Sequence, residues 1–64
     1  MTKRKVDQVL LTYAVIVYYD SDYHEYTAEF RDAPKDRREA TAYHTDDKRD
    51  ALETAMIMAR QGWG

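Results

Sequence analysis

Residues 9–19 have the sequence VLLTYAVIVYY, and this stretch decides the fold. It is rich in β-branched and aromatic residues and contains neither Gly nor Pro, which is typical of a β-strand. Side chains alternate between the two faces of a strand. The odd positions are all apolar or aromatic, and Thr12 is the only polar residue at the even positions. The stretch therefore predicts one strand that is apolar on both faces.

The residues that follow predict a hairpin and a third strand. Asp and Ser at positions 20–22 favour a turn, and residues 23–31 alternate between apolar and polar side chains as a half-buried return strand does. Residues 32–38 hold the only proline and several charges, which predicts a connecting loop. A shorter third strand is expected over residues 39–44.

A helix is predicted at the C-terminal end of the sequence. Thr45 is a suitable N-cap, and Asp46 and Asp47 place negative charge where the helix dipole favours it. Gly62 is suited to end the helix, with Trp63 folding back over the last turn. The predicted inward stripe has helical spacing and consists of Ala51, Leu52, Ala55, Met56, Met58 and Ala59.

Together these elements predict an α+β fold. We expect a three-stranded antiparallel sheet, a β-β-β meander, followed by one C-terminal helix packed on one face. Residues 1–64 are expected to form a single domain because so short a chain has room for only one core. Residues 1–7 are expected to be a flexible basic N-terminal arm. Which face of the sheet the helix covers stays open at this stage.

Composition argues against several function classes. The chain has no cysteine, which removes thiolate chemistry and Cys-type zinc sites and agrees with a cytoplasmic location. The net charge of −2 does not favour a dedicated nucleic-acid binder. The longest apolar run is also shorter than the roughly 20 residues that span a bilayer.

The sequence also lacks the patterns that enzymes and metal sites use. Both glycines lie at the C-terminal end, so no Gly-rich phosphate loop exists, and Ser21 is the only serine. His24 and His44 are expected near several carboxylates, but their spacing matches no metal-binding motif. We therefore predict no catalytic residues, no metal site and no cofactor.

Charge and tyrosine content point instead to a contact surface. In the expected meander, acids gather near residues 20–22 and the helix start, and basic residues, including those of the N-terminal arm, gather at the opposite end. One helix covers only one face of the sheet, so the second apolar face of the first strand is expected to meet a partner. Tyrosine is enriched at such interfaces. The predicted partner-binding residues are Tyr13, Tyr18, Tyr19, Asp20, Asp22, Glu25, Tyr26 and Glu29.

Residues 41–55, TAYHTDDKRDALETA, form a strand, cap and helix phrase that carries a resemblance to known families. The phrase is similar to that of the small RNA-polymerase inhibitors of T-odd coliphages and to that of HicB-type antitoxin half-domains. The first resemblance implies a phage-encoded, non-enzymatic inhibitor of a bacterial host enzyme or defence complex. The second implies a homodimeric antitoxin or regulatory module that contacts nucleic acid. We expect the first, with a protein partner, and keep the second as the alternative.

Overall fold

The computed structural model describes residues 3–63, which form a four-stranded antiparallel sheet and two helices. The α+β class and the C-terminal helix are confirmed, whereas the expected three strands become four and a short second helix is added. In chain order the elements are β1 (Lys3–Leu10), β2 (Ala14–Asp20), β3 (Glu25–Phe30), α1 (Lys35–Thr41), β4 (Tyr43–Thr45) and α2 (Lys48–Gln61).

The strands lie in the order β1-β2-β3-β4, so β1 and β4 are the edges of the sheet. Lys3 lies opposite Asp20 and Val9 lies opposite Val15, and the pairing of β1 with β2 shifts at Val6. This bulge inserts one extra residue into β1. As a result, Val6 and Val9 both pack against the core although they are three positions apart.

The core lies between α2 and one face of the sheet. Val15 and Val17 of β2 and Ala28 and Phe30 of β3 are buried there. Three alanines one turn apart, Ala51, Ala55 and Ala59, line the helix side and are fully buried. Their small side chains let the helix axis approach the sheet closely, so the larger strand residues fill the space between the layers. The predicted alternation of β3, with Tyr26, Ala28 and Phe30 on one side, is confirmed.

Both ends of α2 are capped by side-chain or backbone groups. The N-cap is Asp47, whose carboxylate accepts hydrogen bonds from the backbone N–H groups of Arg49 and Asp50. Thr45, the expected cap, lies two residues earlier, and its hydroxyl oxygen accepts the N–H of Asp47 at 3.2 Å. At the other end, the backbone N–H of Gly62 donates to the carbonyl of Met58 at 2.8 Å, and Gly62 has a φ of 85°. The expected glycine end of the helix is therefore present.

Three sequence-based boundaries were wrong. Residues 9–19 do not form one strand, because the chain turns at residues 11–13 between β1 and β2. Residues 39–44 are not a third strand, since α1 continues to Thr41 and only Tyr43–Thr45 pairs with β3. Residues 3–7, which were expected in a flexible arm, belong to β1. The first two residues of that arm lie outside the described residues.

Neither helix of the described residues, 3–63, has both the length and the apolar character needed to cross a membrane.

Candidate functional site

The turn between β1 and β2 exposes a contiguous set of apolar side chains. We call residues 10–13 the apolar turn, and it consists of Leu10, Leu11, Thr12 and Tyr13. Leu10 is 56% exposed, Leu11 is 52% exposed and Tyr13 is 38% exposed. Turns favour Gly, Pro, Asn, Asp or Ser because these residues satisfy turn geometry or local hydrogen bonds. None of these residues occurs in the apolar turn. Its local sequence therefore does not explain why the chain turns at this place, where two leucines and a tyrosine are exposed.

Backbone and ring contacts fix the apolar turn against the rest of the fold. The backbone N–H of Tyr13 donates to the carbonyl of Ala59 near the end of α2 at 2.9 Å. The N–H of Leu11 donates to the carbonyl of Tyr13 at 3.2 Å. The ring of Tyr13 meets the edge of Phe30 at a centroid distance of 6.3 Å, and Gly62 lies directly beside that ring. The leucines are therefore presented on a short, anchored segment.

A shallow depression of about 300 Å³ lies beside the apolar turn. The four residues of the turn line it together with Ala14, Arg31 and Asp32. Arg31 and Asp32 form an ion pair, with 3.2 Å between Nε and Oδ1. Tyrosine and arginine are enriched at protein interfaces, and the depression presents Tyr13 and Arg31 beside the two leucines.

The second face of the sheet is not the uncovered apolar surface that the sequence analysis expected. We call it the open face, because α2 packs on the other side. Its two large apolar residues in the middle of β2 are Ile16, which is only 6% exposed, and Tyr18, which is half-buried. Lys3 extends across Tyr18, with Nζ 4.9 Å from the ring centroid, and reaches Glu29 at 2.6 Å. The open face carries Lys3, Lys5, Gln8, Leu10, Ala14, Ile16, Tyr18, Asp20, Glu25, Thr27, Glu29 and His44.

The four predicted tyrosines do not share one surface. Tyr18 lies on the open face, whereas Tyr19 and Tyr26 lie on the helix side as a cross-strand pair with ring centroids 4.8 Å apart. The hydroxyl of Tyr19 is 3.3 Å from Nδ1 of His24. Tyr13 is the one predicted anchor that belongs to the apolar turn.

The four predicted acids lie at the far end of the sheet or in its open face. Asp20 accepts the backbone N–H of Asp22 within the β2–β3 turn at 2.9 Å. Glu25 contacts Nδ1 of His44 at 3.1 Å, and Glu29 is the partner of Lys3. One of the four carboxylates, Glu29, is thus engaged in an ion pair within the chain, and Glu25 contacts an imidazole, which leaves less charge to steer a partner.

The predicted separation of acidic and basic ends is also wrong for the start of the chain. Because β1 runs antiparallel to β2, Lys3 lies opposite Asp20 and Arg4 lies opposite Tyr19. These cations therefore lie at the acidic end of the sheet, where they offset the carboxylates. The predicted separation of acidic and basic ends required Lys3 and Arg4 to lie at the opposite end of the sheet.

The histidines and acids do not converge on a site in residues 3–63. No group of three or more His, Cys, Asp or Glu side chains there could hold a metal ion. One titratable group is perturbed: the hydroxyl of Tyr43 donates to Oδ2 of Asp50 at 2.6 Å. This hydrogen bond, with desolvation and the negative charge of Asp50, raises the pKa of Tyr43 above 10.0. The contact joins β4 to the first turn of α2 and has a structural role.

Sequence reasoning missed Leu10 and Leu11 as site residues, although two signals were present. The apolar run of residues 9–19 is about twice the usual strand length of roughly 5–6 residues. The residues before it, KRKVDQ at positions 3–8, can form a polar edge strand, which requires a turn inside the apolar run. No turn-forming residue marks the place.

Comparison with known proteins adds no further information about this site, because no family model, curated protein or solved structure shows significant similarity to the chain.

Proposed function

We propose that this chain is a non-enzymatic protein-binding module that contacts its partner through the apolar turn. The observation that carries the proposal is the adjacent exposure of Leu10 and Leu11, each more than half accessible to solvent. Because about half of each side chain is still exposed, burying it against a partner contributes about 1–1.5 kcal/mol. Two neighbouring leucines therefore offer enough energy to form the centre of a small interface.

The anchoring of the turn supports the same function. Ordering a loop on binding reduces affinity, so a segment that is already fixed binds more tightly for the same contacts. The hydrogen bond from Tyr13 to Ala59 and the ring contact with Phe30 provide this fixation. A turn that served only as a connection would need neither exposed leucines nor an aromatic anchor.

The β1 edge favours a different protein as partner over a homodimer formed by edge pairing. The strand β1 carries Lys3, Arg4 and Lys5 and is interrupted by the bulge at Val6. Lysines and bulges on an edge strand oppose pairing with a second sheet. The finer hypothesis, a phage-encoded inhibitor acting on a bacterial host protein, rests on the resemblance of residues 41–55.

The proposal is tested with two matched double variants. Leu10→Ser with Leu11→Ser removes the apolar turn, and Met56→Ser with Ile57→Ser removes an equally exposed apolar pair on α2, with 50% and 45% exposure. Each purified variant, checked by circular dichroism, is used for affinity capture from bacterial lysate with quantitative mass spectrometry. We expect the leucine variant to lose the partner that the wild type captures and the helix variant to keep it. Equal capture by the wild type and the leucine variant would refute the proposal.

A further inference from the structure

The depression beside the apolar turn has the size of one large side chain. Its volume is about 300 Å³, and its walls belong to the turn, to Ala14 and to the pair of Arg31 and Asp32. Pockets that enclose whole small molecules usually measure about 300–1,000 Å³. A shallow depression at the lower limit of that range fits a single side chain of a partner better than a complete ligand.

Arg31 is the cation of this lining, and its demand for an anion is already met within the chain. Its Nε and Nη2 donate to Oδ1 and Oδ2 of Asp32 at 3.2 and 3.3 Å, so the two side chains form a forked ion pair. The pair has no net charge, and both side chains are more than half exposed. A carboxylate or phosphate from outside would have to compete with Asp32 for the same donors.

The faces of the Arg31 guanidinium group are not used by this ion pair. The N–H groups point outward in the plane of the guanidinium, so the hydrogen bonds to Asp32 occupy its edge. Arginine stacks on aromatic rings through its faces, and the attraction increases when water is excluded. Among residues 3–63 a cation lies over a ring where Lys3 meets Tyr18, but Arg31 has no ring of the chain against it.

The opposite side of the depression also favours an aromatic side chain. Tyr13 is 38% exposed there and already meets Phe30 edge to face, so an entering ring would extend an existing aromatic cluster. Leu10 and Leu11 supply apolar surface that suits aliphatic and aromatic side chains alike. The preference for an aromatic ring therefore comes from Arg31 and Tyr13.

We propose that the depression holds one aromatic side chain of the partner protein, stacked on Arg31 beside the leucines and Tyr13 of the apolar turn. The inference rests on the proposed function and names the class of residue that anchors the partner. Interface energy is concentrated in a few residues, chiefly Trp, Tyr and Arg, which fill pockets and meet such residues of the other protein. A nucleic-acid backbone is a poorer match, because Asp32 occupies the donors that bind phosphate and the chain has a net charge of −2.

The experiment selects binders from a library of random short peptides displayed against the intact protein. Alanine scanning finds the anchor residue of the best binder, which is then resynthesised with cyclohexylalanine at that position. Cyclohexylalanine is similar in size to phenylalanine but has no aromatic electrons. Affinities are measured for the wild type, for Arg31→Lys, which keeps the charge beside Asp32 but lacks the plane, and for Arg37→Lys. Arg37 is the matched control, because it is an exposed arginine of α1 that does not line the depression.

The expected anchor is a Trp, Tyr or Phe whose replacement by alanine weakens binding about tenfold or more. Cyclohexylalanine and Arg31→Lys should each weaken binding about two- to fivefold, which is the share of stacking at a partly exposed site. Arg37→Lys should leave the affinity unchanged. In NMR titrations the side-chain protons of Arg31 should move upfield, because they come to lie over the face of the ring.

Other results overturn the inference in distinguishable ways. Aliphatic anchors that still require Leu10 and Leu11, or a cyclohexylalanine peptide that binds as tightly as the aromatic one, would refute the aromatic site and leave the proposed function standing. Selected peptides that bind the Leu10→Ser, Leu11→Ser variant as well as the wild type, or no selected peptides at all, would count against the proposed function too. Self-association that blocks the peptide and is abolished by Tyr23→Ser would assign the depression to a second copy of the chain. Displacement of the peptide by vesicles of phosphatidylcholine and phosphatidylglycerol would assign it to a lipid surface.

Discussion

Replacing Gly62 by alanine should destabilise the protein through both its backbone and the apolar turn. Gly62 has a φ of 85°, and an added Cβ would lie 2.5 Å from Cε2 and 2.6 Å from Cζ of Tyr13. A residue with a side chain at this φ and a ψ of −179° lies in a region that is essentially restricted to glycine, which costs about 1–3 kcal/mol. Moving the Tyr13 ring away from Phe30 loses a further 0.5–1.5 kcal/mol or so. We expect a total loss of about 1.5–4.5 kcal/mol, from a stability on the order of 3–10 kcal/mol for a chain of this size.

A double-mutant cycle separates these two contributions. The free energy of unfolding is measured by urea denaturation, followed by circular dichroism, for the wild type, Gly62→Ala, Tyr13→Ala and the double variant. The Tyr13 ring supplies the three atoms nearest to the new methyl group, so in the Tyr13→Ala background Gly62→Ala should cost only the backbone share of about 1–3 kcal/mol. An equal cost in both backgrounds, or a Gly62→Ala variant as stable as the wild type, would refute the packing of the helix end against the apolar turn.

Three further substitutions test the core, a helix cap and a polar contact. Val17→Ala removes two methyl groups from a fully buried position and should lower the urea-derived stability by about 2–3 kcal/mol; a loss below about 0.5 kcal/mol would mean that Val17 is not in the core. Asp47→Ala removes the N-cap of α2 and should cost about 1 kcal/mol with a loss of helical circular dichroism, and no change would contradict the cap. Tyr43→Phe tests the pH dependence: the pKa of Tyr43 is raised, so its contribution is complete below pH 10.0 and is lost as the pH rises through the folded-state value. The stability of wild type relative to Tyr43→Phe should therefore fall in alkaline urea titrations, and a constant difference would count against the Asp50 hydrogen bond.

The elements that the sequence predicted correctly are those whose local signals agree with their packing. The β2–β3 connection has Asp20 and Asp22, whose side chain and backbone form the expected turn contact. The strict alternation around Ala28 identified the apolar side of β3, which is the side that packs in the core. In α2, the spacing of the alanines and Gly62 identified the buried face and the end of the helix, whereas Met56, which was also placed on the inward stripe, is 50% exposed.

The elements that were mispredicted are those where tertiary contacts replace local signals. The apolar turn contains no turn-forming residue, and its conformation is supported by the hydrogen bond from Tyr13 to Ala59, which lies far away in sequence. The polar residues of β1 resemble a flexible arm until β2 is available as a pairing partner. The proline and charges of residues 32–38 indicated a loop, yet Pro34 lies at the start of a short helix, α1, where a proline is well tolerated.

The same error shifted the candidate site. With residues 9–19 taken as one strand, the first strand began at Val9, and the arm with Lys3 was placed at the wrong end of the sheet. Once the chain turns at residues 11–13, Lys3 lies over Tyr18 and pairs with Glu29, so charged side chains lie across the part of the open face that was expected to be apolar. The exposed apolar surface then moves from the sheet face to the turn itself, which contains Leu10 and Leu11.

The exposure of Leu10 and Leu11 can be measured directly, because the chain has only three leucines and the third, Leu52, is a half-buried residue of α2. In a sample with labelled leucine methyl groups, a soluble paramagnetic agent broadens methyl NMR signals according to their access to solvent. At low protein concentration we expect strong broadening of both Leu10 and Leu11 and much weaker broadening of Leu52. Methyl groups of Leu10 and Leu11 that are protected as well as those of Leu52 would contradict the apolar turn as a free contact surface.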